Sequence, residues 1–259
     1  MKIKFKWIGG ATFIFSIDGE LKIAVDPVLC PKGTDPGFYW FKSERIEEPV
    51  YSESDFEDID LWLLTHDHED HLDAEGISKI STDARIVANG NAASLLEKKG
   101  VPRQNVLAWG ETKKFGIRSY KVEVEAIPAI HGINPISAFM AGNVNGYFVE
   151  ISKGNEKFSI YITGDTVYKK RVVKALDKHK IDLMVPNMGA AKKGSWIMTL
   201  TLDSGMLEKM IFKLKPIKVI PVHYGTFSHY VEPKESIVEI NDNRIEFVEV
   251  GGSVGFSYY

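Results

Sequence analysis

The sequence holds a single cysteine, Cys30, among 259 residues. No internal disulfide can form, so no disulfide framework holds the fold, and a reducing compartment is expected. Cys30 then reads as a structural thiol. Long apolar runs are missing as well. No window approaches the ~18 uninterrupted apolar residues of a membrane-spanning helix. The start, Met1 to Trp7, alternates lysine with apolar residues and lacks the continuous apolar stretch of a secretory signal. These absences point to a soluble, cytoplasmic protein with no membrane partner. An excess of one charge is also missing: 32 basic residues face 35 acidic ones, for a net charge of -3. A protein that binds nucleic acid through its overall charge is basic, so this balance argues against nucleic acid and toward a small-molecule substrate. Low-complexity tracts are absent, and an apolar content of 44% is ordinary for a globular chain, which excludes disorder.

What is present is a recurring succession of strands and helices. Two apolar runs, 13–17 and 21–25, flank Asp18-Gly19-Glu20, a hairpin signal. Residues 30–58 form a long loop rich in proline and glycine that carries the cluster Phe38-Tyr39-Trp40-Phe41. Such loops in compact domains are more often functional than idle. The cluster can wall a pocket, contact a second copy or anchor the loop. Residues 59–64 read as a buried strand, and a short helix through Ile77 and Ile80 follows the polar segment after it. Asn91 reads as the N-cap of a helix carrying Leu95 and Leu96 and stopped by Gly100. The second half repeats the style, with strands at 146–151, 158–162, 181–185 and 217–222. Its helices carry Val172, Val173 and Leu176, then Met206, Leu207, Met210, Ile211 and Leu214 at helical spacing. No linker separates the halves, so residues 1–259 are expected to form one α/β domain of two related layers.

One segment stands out. His66-Asp67-His68-Glu69-Asp70-His71 packs three imidazoles and three carboxylates into six residues at the end of a strand. Neutral imidazole and carboxylate are the usual ligands of zinc and similar divalent ions. Three further apolar runs end in the same chemistry, at His131, Asp165 and His223. In α/β sheets, sites form at the carboxyl ends of strands. A lone histidine there is more often structural, but four strand ends delivering such residues make a joint case.

These residues resemble the metallo-β-lactamase superfamily of metal hydrolases. The pattern His-x-His-x-Asp-His is His66, His68, Asp70 and His71, and the later His, Asp and His of that family fall on His131, Asp165 and His223. Trp7-Ile8-Gly9-Gly10-Ala11-Thr12, Asp26-Pro27, Gly164-Asp165-Thr166 and Pro221-Val222-His223-Tyr224-Gly225-Thr226 are similar to the lactonase and phospholipase-D-like branch. The resemblance implies a four-layer αβ/βα sandwich. It implies two divalent ions, zinc first and manganese or iron as alternatives. His66, His68 and His131 would hold one ion, Asp70, His71 and His223 the other, with Asp165 between them. Two such ions could share a hydroxide for attack on an ester-type bond, a lactone or a phosphodiester, and could clamp both reacting oxygens. Asp70 and Asp165 are the implied catalytic carboxylates, Asp70 orienting that hydroxide. The branch also leaves room for a homo-oligomer.

Other residues admit two readings. Asp26 either orients a ligating imidazole or ends a strand at an Asp-Pro turn. His229 could support the site or reach substrate, but an exposed loop histidine is the favoured reading. His179, in Asp177-Lys178-His179-Lys180, reads as surface. Gly9 and Gly10 read as turn residues. The loop from Gly189 to Trp196 could offer Lys192 and Lys193 to an anionic substrate, or simply expose them. Competing functions share the metal motif. An RNA phosphodiesterase like ribonuclease Z is disfavoured by the charge balance. Diiron redox relatives carry glutamate where this chain has His68; an iron-dependent persulfide dioxygenase-type redox enzyme is harder to exclude and is disfavoured by the complete second ligand set. A non-catalytic metal scaffold or sensor is a further alternative.

Overall fold

The computed structural model describes residues 1–35, 43–101, 104–191 and 199–257. The Phe38-Tyr39-Trp40-Phe41 cluster and the Lys192-Lys193 pair lie outside the described residues. The N-terminal apolar runs form β1 (Lys2–Gly9), β2 (Thr12–Ile17) and β3 (Leu21–Val25), an antiparallel meander. Gly10 turns β1 into β2 with φ 59°, and Asp18 and Gly19 turn β2 into β3 with φ 53° and 71°. Tight hairpins need positive φ at the turn, which glycine and aspartate tolerate. After α1 (Glu53–Phe56), β4 (Leu61–Leu64) joins β3 in parallel. It is followed by α2 (Ala74–Ser78), β5 (Ile86–Ala88), α3 (Gly90–Lys98) and β6 (Asn105–Val106).

Asn89, not Asn91, caps α3. Its side chain accepts the Ala92 N–H, while Asn91 lies inside the first turn. Both residues suit a cap. A tertiary contact fixes Asn89, whose amide donates to the Asn143 carbonyl at 2.6 Å.

The second sheet begins with β7 (Thr112–Ile117) and β8 (Tyr120–Ala129). Then come α4 (Pro135–Ala141), β9 (Val144–Lys153), β10 (Glu156–Ile162), α5 (Lys170–Ala175) and β11 (Leu183–Val185). The chain continues through α6 (Ser204–Leu214), β12 (Lys218–Val219) and α7 (Lys234–Val238). Last, β13 (Ser253–Ser257) returns to pair with β1. The sequence predicts a strand across 217–222, but only Lys218 and Val219 enter the ladder. Pro221 has no N–H to donate, and Val222 keeps a single bridge to Asn187.

Two mixed sheets result, ordered β13-β1-β2-β3-β4-β5-β6 and β12-β11-β10-β9-β8-β7. Side chains alternate faces along a strand, and β4 shows the consequence. Leu61 and Leu63 enter the core between the sheets, together with Phe13, Phe15, Val149 and Ile160. Trp62 and Leu64 face the other way, onto a second cluster with Ile77 of α2 and Leu96 of α3. Val172 of α5 and Leu207, Met210 and Ile211 of α6 join the core of the second sheet. Helices therefore flank both sheets, the αβ/βα sandwich of the metallo-β-lactamase fold. No described helix is long and apolar enough to cross a membrane.

Strand direction decides where loops meet. β8 and β10 both run antiparallel to β9, and β11 and β12 run parallel to β10. Their carboxyl ends therefore share one rim. The start of β9 ties that rim to the end of β4: the Tyr147 hydroxyl donates to the Leu64 carbonyl at 2.7 Å, and Asn145 N–H donates to the Thr65 carbonyl at 3.0 Å.

The chain after β4 is held just as closely. An added Cβ at Gly76 in α2 would lie 1.9 Å from the Pro27 carbonyl oxygen. Backbone must move to admit it, so Gly76→Ala should destabilise the protein by about 1–3 kcal/mol. Gly116→Ala in β7, where nothing lies within 4 Å, is the matched control. Thermal unfolding checks both, and equal midpoints would refute the packing argument.

Candidate metal centre

The rim gathers seven side chains. His66, His68 and His131 form one group and Asp70, His71, Asp165 and His223 another; in each, the potential donor atoms lie within 4.8 Å of one another. Four of the seven follow β4, one follows β8, one follows β10, and His223 follows the 217–222 stretch. All but half-buried His68 are buried. The other two carboxylates of the motif, Asp67 and Glu69, line a separate cavity of about 580 Å³ with Asp73 and Cys30.

Hydrogen bonds fix which ring nitrogen faces inward. His131 Nδ1 meets the Leu200 carbonyl at 3.0 Å and His223 Nδ1 meets the Met188 carbonyl at 3.1 Å. A carbonyl only accepts, so both Nδ1 atoms carry the proton. His71 Nδ1 donates to Asp26 Oδ2 at 2.8 Å. Thr65 Oγ1 gives its one proton to Asp26 Oδ2 at 2.5 Å and accepts from His66 Nδ1 at 3.0 Å. Four imidazoles thus turn their Nε2 lone pairs into the cluster. This is the arrangement that metal-ligating histidines take.

The lone pairs crowd one another. His71 Nε2 and His223 Nε2 are 3.0 Å apart, and Asp165 Oδ1 lies 3.1 Å from the first and 3.6 Å from the second. Two buried atoms of the cluster have no hydrogen-bond partner among the described residues: His66 Nε2 in one group and Asp70 Oδ1 in the other. Buried polar atoms without partners are costly, and a divalent cation in each group would satisfy them. The donor set of imidazole and carboxylate suits such an ion.

Asp165 spans both groups. Its Oδ2 is 4.0 Å from His66 Nε2 and 3.7 Å from His131 Nε2, while Oδ1 faces His71 and His223. Asn187, delivered by the chain after β11, donates to Oδ1 at 2.9 Å. Burial opposes charge on Asp165 and Asp70, yet the facing histidines hold both carboxyls well below the usual range. Burial also pushes His66 well below the ordinary imidazole value and His131 down to about 4, keeping both neutral. His71 goes the other way: burial disfavours its charge, but Asp165 and Asp26 raise it well above the ordinary value. A proton on His71 relieves the crowding that a cation would relieve.

The residues with two readings now have places. Asp26 is buried and holds Thr65 and His71 together, as an orienting carboxylate does. His229 is not an exposed loop histidine. It is 8% exposed, with Nε2 at 3.1 Å from Asp70 Oδ2 and Nδ1 at 2.5 Å from Ser43 Oγ. Burial follows because Phe227 and Tyr230 fold their rings against it. His179 is half-buried rather than fully on the surface; its ring stacks on Phe148 at 3.9 Å and meets Glu125 at 3.1 Å. Cys30 is buried, which pushes its thiol up to about 11, so it is no nucleophile at neutral pH.

Four participants escaped sequence reasoning: Thr65, Asn187, Ser43 and Tyr230. Tyr230 places its hydroxyl 2.9 Å from Asp70 Oδ2 and 2.7 Å from His223 Nε2. Burial, then the charges of Asp70 and Asp165, push that hydroxyl well above its ordinary value, so it stays a proton donor. Thr65 sits directly before the motif, the one signal that could have found it. Backbone strain marks the same rim. Asp26, Ala190 and His223 have φ of 40°, 44° and 63°. Gly164, before Asp165, has φ 58°, and an added Cβ would lie 2.6 Å from the Asn145 carbonyl oxygen.

The family model described as beta-lactamase superfamily domain matches residues 33–224, a stretch that contains all seven cluster residues. A UPF0173 metal-dependent hydrolase of Pyrococcus abyssi is 30% identical over 228 residues, covering 87% of this chain and 86% of its own. Among solved structures, one described as a possible metal-dependent hydrolase from Veillonella parvula superposes with TM-score 0.84 at 21% identity, covering 98% of this chain and 99% of that one. An isothiocyanate hydrolase from Delia radicum gut bacteria superposes with TM-score 0.81, also at 21% identity, over 100% of both chains. The chain belongs to the beta-lactamase superfamily domain family and is a metal-dependent hydrolase of the metallo-β-lactamase fold.

Proposed function

We propose that this hydrolase works with two divalent ions, zinc by preference, and cleaves an ester-type bond, a lactone or a phosphodiester, in a small molecule. The observation that carries the two-ion reading is a pair of buried ligand atoms without a hydrogen-bond partner among the described residues. His66 Nε2 belongs to one group and Asp70 Oδ1 to the other, with the Asp165 carboxylate reaching into both. His66, His68 and His131 would hold one ion, and Asp70, His71 and His223 the second, with Asp165 shared. Imidazole-rich donors favour zinc, although manganese and iron use overlapping sets.

Bound ions would supply Lewis acidity and lower the pKa of water to about 7. The chain's own residues do the arranging. Asn187 holds Asp165 at the seam, Thr65 and Asp26 aim His66 and His71, and the Leu200 and Met188 carbonyls aim His131 and His223. Burial of the cluster removes competing water. The same reading takes residues 1–259 as one domain, lactonase-like in branch, active in the reducing cytoplasm. It needs neither nucleic acid nor a membrane, and self-association is compatible with it. The near-neutral charge supports a small substrate over RNA.

Metal analysis of the purified protein, joined to a panel of lactones, phosphodiesters, other esters, an isothiocyanate and a structured RNA, tests the reading. Two ions per chain and turnover of a small ester are expected. His66→Ala and Asp165→Asn should each lower turnover by about 100-fold or more, beyond the about 10–100-fold typical of supporting residues. Unchanged turnover at reduced metal content would sink the mechanism.

Asp26→Asn keeps the size of the side chain but removes the charge that aims His71. Chelator competition should record a loss of metal affinity of about 10–100-fold. An affinity equal to that of the wild type would show that Asp26 only ends a strand.

A further inference from the structure

Asp70 is gripped by one oxygen only. Its Oδ2 accepts from the Tyr230 hydroxyl at 2.9 Å and from His229 Nε2 at 3.1 Å. Its Oδ1 is buried and has no hydrogen-bond partner among the described residues. The grip on Oδ2 is itself braced. For His229 Nε2 to donate to a carboxylate, a neutral ring must accept at Nδ1, and Ser43 Oγ stands there at 2.5 Å as the donor.

Ser43 lies 186 residues from His229 and is carried to it by a short antiparallel ladder. Arg45 bridges Phe227, Ile46 N–H donates to the Thr226 carbonyl at 2.8 Å, and Ser228 N–H donates to the Glu44 carbonyl at 2.9 Å. Behind it, the buried Arg45 guanidinium lies 5.3 Å from the centre of the Phe227 ring. That ring packs on His229 and Tyr230.

We propose that Ser43, His229 and Tyr230 are positioning residues that lock Asp70 through Oδ2, so that Oδ1 alone is offered to the second ion. The proposal rests on the two-ion reading above. A carboxylate free to rotate can chelate with both oxygens and fill the coordination position that a catalytic site keeps open for substrate. A carboxylate locked by one oxygen cannot.

Tyr230 adds a condition to the lock. Its hydroxyl has one proton and two claimants, Asp70 Oδ2 and His223 Nε2 at 2.7 Å, whose Nδ1 proton is already committed to Met188. An ion held by His223 Nε2 would remove that claimant, so the Tyr230 proton would stay with Asp70. Loading the second group would then tighten a lock that the ion-free chain already has.

Titration of the ion-free full chain with cobalt(II), following stoichiometry by metal analysis and the visible absorption of the bound ion, tests this. The wild type should take two ions. In His229→Ala and in Tyr230→Phe, the second ion should bind about 10–100-fold more weakly, with an altered spectrum, while the first binds as before. His229→Gln, whose side-chain amide can donate to Oδ2, should restore both affinity and spectrum. The ion-free variants should unfold at the wild-type temperature. A second ion bound with wild-type affinity and spectrum in both variants overturns the proposal. So does equal weakening of both ions without rescue by glutamine, because that is a general structural effect. Uptake of fewer than two ions by the wild type instead overturns the two-ion reading itself.

Discussion

Crowded lone pairs are the constraint on which this molecule depends. Buried Nε2 atoms of His71 and His223 sit 3.0 Å apart beside an Asp165 oxygen, and their own protons are committed outward. Such a cluster is unfavourable unless something positive sits in it. The fold spends its rim on keeping the donors there: carbonyls of Met188 and Leu200, the Asp26 carboxylate and the Thr65 hydroxyl all exist in this network as fixed partners for Nδ1 protons. The two sheets contribute unequal shares, four side chains after β4 and three from the second sheet. The cluster is therefore also a junction, and the hydrogen bonds from Tyr147 and Asn145 to the end of β4 keep its two sides in register.

Much of this was legible in the sequence because it is local. Asp18-Gly19 announced the β2–β3 hairpin, and the run of imidazole and carboxylate at 66–71 announced the site. His131, Asp165 and His223 were legible because each ends an apolar run. What stayed hidden is long-range. Ser43 meets His229 across 186 residues, and Asn187 reaches Asp165 from the loop beyond β11. No spacing rule links such pairs. His229 reads from sequence as an exposed loop residue because Phe227 and Tyr230 give no sign there that they fold inward around it. The apolar run 217–222 is longer than the strand it forms because Pro221 is apolar but cannot join a ladder. Asn89 and Asn91 were equivalent as caps until the contact with Asn143 separated them.

The supporting network has a consistent chemistry. Groups that must donate toward the cluster, such as Tyr230 and Asn187, meet carboxylate oxygens. Groups that must accept from it, such as Leu200 and Met188, are backbone carbonyls, which cannot change protonation. Backbone partners of this kind are indifferent to side-chain substitution, so two of the four inward-facing imidazoles keep their orientation whatever residue stands at 188 or 200. The other two depend on side chains at 26 and 65, and that half of the site is the more mutable.

The left-handed backbone along the rim sets two kinds of fitness against each other. The side chain at His223, with φ of 63°, costs roughly 1–2 kcal/mol over a residue at ease there. Glycine or asparagine would relieve that strain, and each would delete an imidazole from the cluster. Selection for heat tolerance and selection for turnover thus pull this position in opposite directions. A redesign that followed backbone comfort alone would begin by dismantling the chemistry.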